Sequence, residues 1–334
     1  MKLPHRVRRV ELYLKISTLL LFISNILILF IVFIMNTKFF IERTTLDSLL
    51  NIPPVVVLNG SESIRIPLGE DYADPGAEAY AVGGDPDLLT EGKVDSSVEG
   101  VYMLHYTACN QRDNCTTVKR KVTVIKPAGT VYLTFDDGPG EYTGRLLDVL
   151  KKYDVHATFF VTGRGTDEIL KREHDEGHAI GLHSFSHDYS YIYRNTANFW
   201  ADMEKVRARV KTATGEDTLL MRFPGGSSNT VSARYDGGSH IMSKLTKEAI
   251  ERGYTYFDWN VLSGDAGETI DTNQIIENVT KGLKLGGASV VLQHDIKDFS
   301  VDAVERIIQF GLENNYLFEK LTPNSFNAHH GVNN

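Results

Sequence analysis

Cysteine is scarce: the 334-residue chain has two. That excludes a disulfide-dense scaffold and any four-cysteine zinc site within one chain. Positive charge is also short, with 35 Lys and Arg against 43 Asp and Glu and a formal net charge of −8. Such a balance argues against nucleic acid as a partner, because gripping a phosphate backbone needs a basic face. The extremes of disordered and collagen-like chains are missing too. Hydrophobic residues make up 42% and charged residues 23%, near the globular average. At roughly 100–200 residues per domain, the length admits two domains.

One absence is local. Ile16–Met35 holds no charged side chain, and Ser17, Thr18, Ser24 and Asn25 are its only clearly polar members. At a rise of about 1.5 Å per residue, a helix of this length spans the ~30 Å hydrocarbon core. A cleaved signal peptide is the rival reading, but its apolar part is usually about 7–15 residues long and ends at a small-x-small site. Here the run closes on Val32-Phe33-Ile34-Met35 and continues as Asn36-Thr37-Lys38, with no such site. The pattern predicts an uncleaved transmembrane anchor over 16–35. Lys2, Arg6, Arg8, Arg9 and Lys15 against Glu11 give the first 35 residues a net charge of +4, which leaves −12 for the rest. Positive charge favours the cytoplasmic side. The tail 1–15 is therefore expected inside the cell, and everything past about residue 36 outside, beginning with a stalk over 36–50.

From residue 51 to 126 the texture is that of short strands. Val55–Leu58, Ser63–Ile66, Tyr102–Thr107 and Thr117–Val124 are β-rich, and the last two alternate apolar and polar residues as half-buried strands do. Asn59-Gly60, Asp74-Pro75-Gly76, Gly83-Gly84-Asp85-Pro86 and Glu99-Gly100 punctuate them as turns. A small all-β sandwich is expected. "LGEDYADPGAEAY", "GKVDSSVEGVYMLHYTA" and a closing "VTV" resemble bacterial immunoglobulin-like wall-protein domains. Those motifs carry fold and no chemistry, so a spacer is the expected role, with a weak wall contact as the alternative. Cys109 and Cys115 lie between two predicted strands. They can close that hairpin as a disulfide, which an extracellular location permits, or remain two thiols.

After Lys126-Pro127-Ala128-Gly129, a linker-like tetrapeptide, strand and helix patterns alternate to residue 321. Strands are expected at Thr130–Phe135, Thr158–Val161, Ala179–Leu182, Leu219–Phe223, Tyr254–Asn260 and Ser289–His294, with helices between them and a tail over 322–334. Repeated βα units imply a mainly parallel sheet and a (β/α) barrel, complete or not. Reactive groups in such barrels gather at the carboxyl ends of the strands. Those ends carry Asp136-Asp137, His183, Arg222 and His294.

Each group has a chemical reading. Adjacent carboxylates at Asp136-Asp137 can divide two roles, metal binding and proton removal, although Asp-Gly-Pro is also ordinary turn chemistry. His183 and His187 are four apart, which in a helical turn places both imidazoles on one face. With a carboxylate such as Asp137 they supply three ligands and leave a position open, as catalytic zinc sites do. Arg222 can orient a carboxylate. The turn Pro224-Gly225-Gly226 lets a backbone N–H approach an oxyanion, and His294 can serve as a general acid near neutrality.

Together "TFDDGP" (134–139), "HSFSH" (183–187), "RFPGG" (222–226) and "LQH" (292–294) resemble the polysaccharide deacetylases, the NodB-homology domain of carbohydrate esterase family 4. The resemblance implies a distorted (β/α) barrel in which Asp137, His183 and His187 bind a divalent metal, zinc first and cobalt or a similar ion next. Asp136 would be the general base, Arg222 its holder and His294 the general acid. Leu292 would line the acetyl pocket beside Pro224 and Gly225. The sequence departs from the family in two places. The usual tyrosine of the third motif is Gly225, leaving only a backbone N–H. In Leu262-Ser263-Gly264-Asp265-Ala266, only the second acid of the family's Asp-x-x-Asp-Trp remains. Asp265 is thus expected to support His294, with Asp258 as competitor, and Trp259 to replace the missing aromatic wall. An outward-facing deacetylase on a spacer implies peptidoglycan N-acetylglucosamine as substrate. N-acetylmuramic acid, chitin fragments, poly-N-acetylglucosamine or an O-acetylated glycan are the alternatives, and an inactive wall-binding relative is the reading from another class.

Overall fold

The computed structural model describes residues 50–333. The cytoplasmic tail 1–15, the anchor 16–35 and nearly all of the stalk expected from sequence lie outside the described residues. Among the described residues, no helix is long and apolar enough to cross a membrane. The chain divides into two compact units.

The first is the expected small sandwich. Its strands are β1 (Val55–Leu58), β2 (Ser63–Pro67), β3 (Ala77–Tyr80), β4 (Leu88–Glu91), β5 (Gly100–Cys109) and β6 (Cys115–Ile125). β1 and β3 form a two-stranded sheet; β2, β6, β5 and β4, in that order, form a four-stranded one. Alternation along β5 sends Leu104, Tyr106 and Ala108 into the core, as period 2 requires. The core also holds a fully buried Arg120, which pairs with Asp74 and donates to the carbonyls of Asn59, Ser61 and Gly76. One guanidinium thus satisfies the backbone of two turns that the sequence marks with Asn-Gly and Asp-Pro-Gly. Cys109 and Cys115 are joined as a disulfide across the β5–β6 hairpin.

The second unit alternates strands and helices: β7 (Gly129–Asp136), α1 (Thr143–Lys152), β8 (Thr158–Val161), α2 (Asp167–Asp175), β9 (Ala179–Leu182), α3 (Tyr189–Ile192), α4 (Thr196–Thr214), β10 (Leu220–Met221), α5 (Ile241–Glu251), β11 (Thr255–Tyr256), β12 (Val261–Leu262), α6 (Thr272–Gly282), β13 (Ala288–His294), α7 (Asp298–Glu313) and β14 (Tyr316–Phe318). The sheet order is β11-β10-β9-β8-β7-β13-β12, with β14 on the lower part of β7. Every pairing within it is parallel. The barrel is open, because the two-residue strands β11 and β12 end the order without pairing to each other.

Alternation builds two apolar layers. Val131, Leu133 and Phe135 of β7 face the helices, among Leu146, Leu150 and Ile307. Tyr132 faces inward with Phe160, Leu220, Phe257 and Val290. Thr134 and Asp136 continue that inward face, so the period of the strand delivers a carboxylate to the carboxyl end of the barrel.

Two expectations change. The strand expected over Tyr254–Asn260 is only Thr255–Tyr256, after which the chain leaves the ladder and re-enters at Val261. The segment expected as a tail, 322–334, runs back onto the barrel as far as it is described. Ala328 is buried in the inner layer, and its carbonyl accepts from the Asp258 amide at 2.8 Å.

Candidate active site

β7 ends on Asp136, and the chain turns at once through Asp137, whose φ is 76°. His183 follows the last residue of β9. The four-residue spacing to His187 is not that of a helical turn, as expected from sequence. Residues 183–188 form an irregular loop in which Ser184 (φ 79°) and His187 (φ 51°) are left-handed. Three of the seven non-glycine residues with positive φ among those described therefore sit in this one place. Such conformations cost on the order of 1–3 kcal/mol each and persist where surrounding contacts impose them.

Those contacts are visible. Asp202 of α4 is buried, and its Oδ2 accepts from the amides of Phe185 (2.6 Å) and Ser186 (2.9 Å). The His187 amide donates to Ser184 Oγ at 3.1 Å. Sequence reading missed Asp202, although a signal existed. It lies three residues after Phe199 and four before Val206, on the buried stripe of α4, where an unpaired carboxylate would be costly.

The loop brings Asp137, His183 and His187 together, with one ligand atom of each within 4.8 Å of the others. His187 Nε2 is 3.1 Å and His183 Nε2 3.6 Å from Asp137 Oδ1. His183 Nδ1 donates to the Arg222 carbonyl at 2.9 Å. That fixes the tautomer with the Nε2 lone pair facing Asp137. Burial, more than any other cause, pushes the His183 pKa down to about 3, so the ring stays neutral. Asp137 Oδ1 is itself buried and accepts no hydrogen bond. A carboxylate oxygen facing an imidazole lone pair is repulsive unless a cation lies between them. The donor set, two imidazoles and a carboxylate, therefore fits a divalent ion such as zinc.

Asp136 is almost fully buried. Its Oδ1 accepts from Arg222 Nη1 at 2.8 Å, and its Oδ2 lies 3.6 Å from His183 Nε2. Burial raises the Asp136 pKa despite the opposing charges of Arg222 and His294. Arg222, with no exposed side-chain surface, also donates to Thr134 Oγ1 (2.7 Å), the Phe257 carbonyl (3.0 Å) and the Asp258 carbonyl (2.9 Å). Every nitrogen of the guanidinium is thus engaged, and the pair is fixed in one geometry.

His294 closes β13. Its Nδ1 donates to Asp265 Oδ1 at 2.9 Å, and its amide donates to Asp265 Oδ2 at 2.7 Å. Burial alone would lower the His294 pKa, but the hydrogen bond and charge of Asp265, helped by Asp136 and Asp137, raise it. Register explains the pairing: Leu262 lies beside Leu292 in the ladder, which carries the next loop to His294. Asp258, the competitor weighed from sequence, faces elsewhere. Its carboxylate accepts from the Ser227 amide (2.8 Å), the Ser227 hydroxyl (2.5 Å) and the His330 amide (2.9 Å).

The remaining expected residues form the rim. Leu292 is buried at the end of β13. Pro224 is buried, and its carbonyl accepts from the Tyr193 hydroxyl at 2.6 Å. Gly225 is exposed with φ 76°, a conformation natural to glycine. A Cβ there would come within 2.9 Å of the Tyr189 hydroxyl. Tyr189 thus fills space that a third-motif side chain would take, and its ring packs edge-on against His187. Trp259 is half-buried, its indole lying against Gly226.

The polysaccharide deacetylase family model matches residues 123–237, and the model for the Ig-like domain of bacterial surface proteins matches residues 56–124. The chain is 32% identical over 206 residues to a peptidoglycan-N-acetylglucosamine deacetylase of Bacillus cereus, covering 58% of this chain and 70% of that one. Among solved structures, the catalytic domain of a peptidoglycan N-acetylglucosamine deacetylase from Eubacterium rectale superposes with a TM-score of 0.59 at 50% identity. The match covers 61% of this chain and 94% of that one. A polysaccharide deacetylase from Bacillus cereus gives 0.52 at 32% identity, covering 60% and 96%.

Proposed function

The chain belongs to the polysaccharide deacetylase family, and from that premise we propose that its barrel hydrolyses the acetamide of an N-acetylated cell-wall glycan, N-acetylglucosamine of peptidoglycan first, releasing acetate. The observation that carries the reading is the trio Asp137–His183–His187, with its unpartnered carboxylate oxygen, set beside a clamped Asp136.

Asp137, His183 and His187 would hold the metal, zinc before cobalt. Once bound, such an ion polarises a carbonyl and makes water more acidic. The chain's own groups divide the rest. Asp136 accepts the proton of the attacking water at Oδ2, since Oδ1 is committed to Arg222. Its raised pKa makes it a stronger base than an ordinary surface carboxylate. The N–H of Gly225, in its exposed turn, meets the oxyanion as the carbonyl carbon becomes tetrahedral. His294, kept protonated by Asp265, donates to the departing nitrogen. The C–N bond breaks, and amine and acetate leave. Leu292, Pro224 and Trp259 border the acetyl group and sugar.

The setting completes the proposal. Residues 16–35 anchor the chain in the cell membrane with the N-terminus inside, 36–50 form a stalk, 51–126 a spacer sandwich and 127–321 the catalytic domain, facing the wall. The uncharged run and the basic residues before it support this topology. The test is mass spectrometry of N-acetylglucosamine oligomers and of peptidoglycan fragments after incubation with the zinc-loaded protein. Loss of acetyl groups from glucosamine residues is expected. Loss only from muramic acid, or only from chitin oligomers, would redirect the substrate, and no loss from any glycan would overturn the enzyme reading.

A further inference from the structure

Between β11 and β12 the chain leaves the ladder, and the carbonyls of Tyr256, Phe257, Asp258 and Trp259 need partners from elsewhere. The two inner ones go to Arg222, through Nε and Nη2. The two outer ones go to the segment after the last strand. His329 Nε2 donates to the Tyr256 carbonyl at 3.0 Å, and His330 Nε2 donates to the Trp259 carbonyl at 2.6 Å. The Asp258 amide donates to the Ala328 carbonyl, and the His330 amide to the Asp258 carboxylate. The His329 ring stacks flat on Tyr256, with centroids 3.9 Å apart. On the far side, Ser228 Oγ hydrogen-bonds His330 Nδ1 at 3.1 Å, and Asn333 Nδ2 donates to the Ser228 carbonyl at 2.8 Å.

We infer that the segment Ala328–Asn333 is a positioning element of the active site. It stands in for the stave missing between β11 and β12. One side of the Tyr256–Trp259 backbone holds Arg222, which holds Asp136; the other side is held by this segment. His330 also ties that backbone to Ser228, in the turn that carries Gly225 and Ser227. A shift of either loop would move the general base or the oxyanion donor, and misplacement of such groups by even 1 Å is costly to rate. The inference rests on the deacetylase reading above.

The discriminating variants are His330→Phe and His330→Gln in the full chain. Phenylalanine keeps a ring against Trp259, where the imidazole packs edge-on at 4.8 Å, but removes both polar ring contacts. Glutamine can still donate and accept. On N-acetylglucosamine oligomers with zinc present, His330→Phe is expected to lose about tenfold in kcat/KM, mostly through kcat, because a displaced base or oxyanion donor costs the transition state more than the bound substrate. Its zinc content and thermal midpoint should stay near wild type, and His330→Gln should recover most of the loss. A chain ending at Ser325 should lose more, and a synthetic peptide of residues 326–334 should restore it. Wild-type kinetic constants in His330→Phe, or full activity in the shortened chain, overturn the inference while leaving the deacetylase reading intact. An inactive wild-type protein on every glycan overturns both.

Discussion

The pair Asp265–His294 permits a prediction whose sign and size follow from the structure. Asp265→Asn keeps shape and removes one charge. The carboxylate is 1% exposed and lies 2.9 Å from the His294 imidazole, so little solvent screens it. An opposite charge at that range shifts a pKa by about one to three units, each unit being about 1.4 kcal/mol. In the proposed reaction His294 must be protonated to donate. Its raised pKa sets the alkaline limb of the activity profile, above which activity is lost as pH rises. Asp136 must be deprotonated and sets the acid limb. Asp265→Asn should therefore move the alkaline limb of kcat/KM down by about one to three units and leave the acid limb in place. At pH above the wild-type limb the loss becomes about 10- to 1,000-fold. The assay is acetate release from an N-acetylglucosamine oligomer across about pH 5–10, with metal content checked in parallel. An unmoved alkaline limb, or a displaced acid limb, would refute the assignment of His294 as acid.

Asp136→Asn should cut acetate release by about 10²–10⁴-fold, the usual worth of a positioned base, while elemental analysis finds the metal unchanged; metal loss would mean that Asp136 is a ligand instead. His183→Ala and His187→Ala should each lose the metal on dialysis, and wild-type stoichiometry in either would dismantle the trio. Arg222→Met leaves Asp136 buried without its partner and should destabilise folding by about 3–5 kcal/mol, read from urea denaturation. Adding Asp136→Asn should give part of that back, and no recovery would mean the cost lies in the lost carbonyl contacts.

Much of the catalytic unit is legible in the order of its residues. The inward face of β7, the helix stripes and the polar strand ends follow from periods of 2 and 3.6. The His183–His187 spacing points to convergence, but through the wrong geometry. A left-handed loop held by Asp202 does what a helical turn was expected to do, and that anchor is contributed 15 or more residues downstream. Asp258 and Asp265 cannot be ranked from spacing, because each follows a two-residue strand, β11 at one end of the sheet order and β12 at the other. Only the β12–β13 register, Leu262 beside Leu292, decides which reaches His294. The segment from Ala328 is less readable still. Its partners lie some 70 positions earlier, and its signal is two histidines in a polar stretch with no period at all.

The place of β7 has a consequence for how the barrel is made. It is the first strand of the unit to leave the ribosome. Its edges are completed by β8, by β13 along its whole length and by β14 at its base. Two of those three partners come after residue 287, so β7 stays half-paired until the last two strands of the sheet have been made. Pairings this distant in sequence are slow to close. Until then one edge of β7 keeps its backbone N–H and C=O groups unpaired. Closure of the barrel is therefore a late event, and the open edge of β7 is the part of the incomplete domain most exposed to wrong pairing.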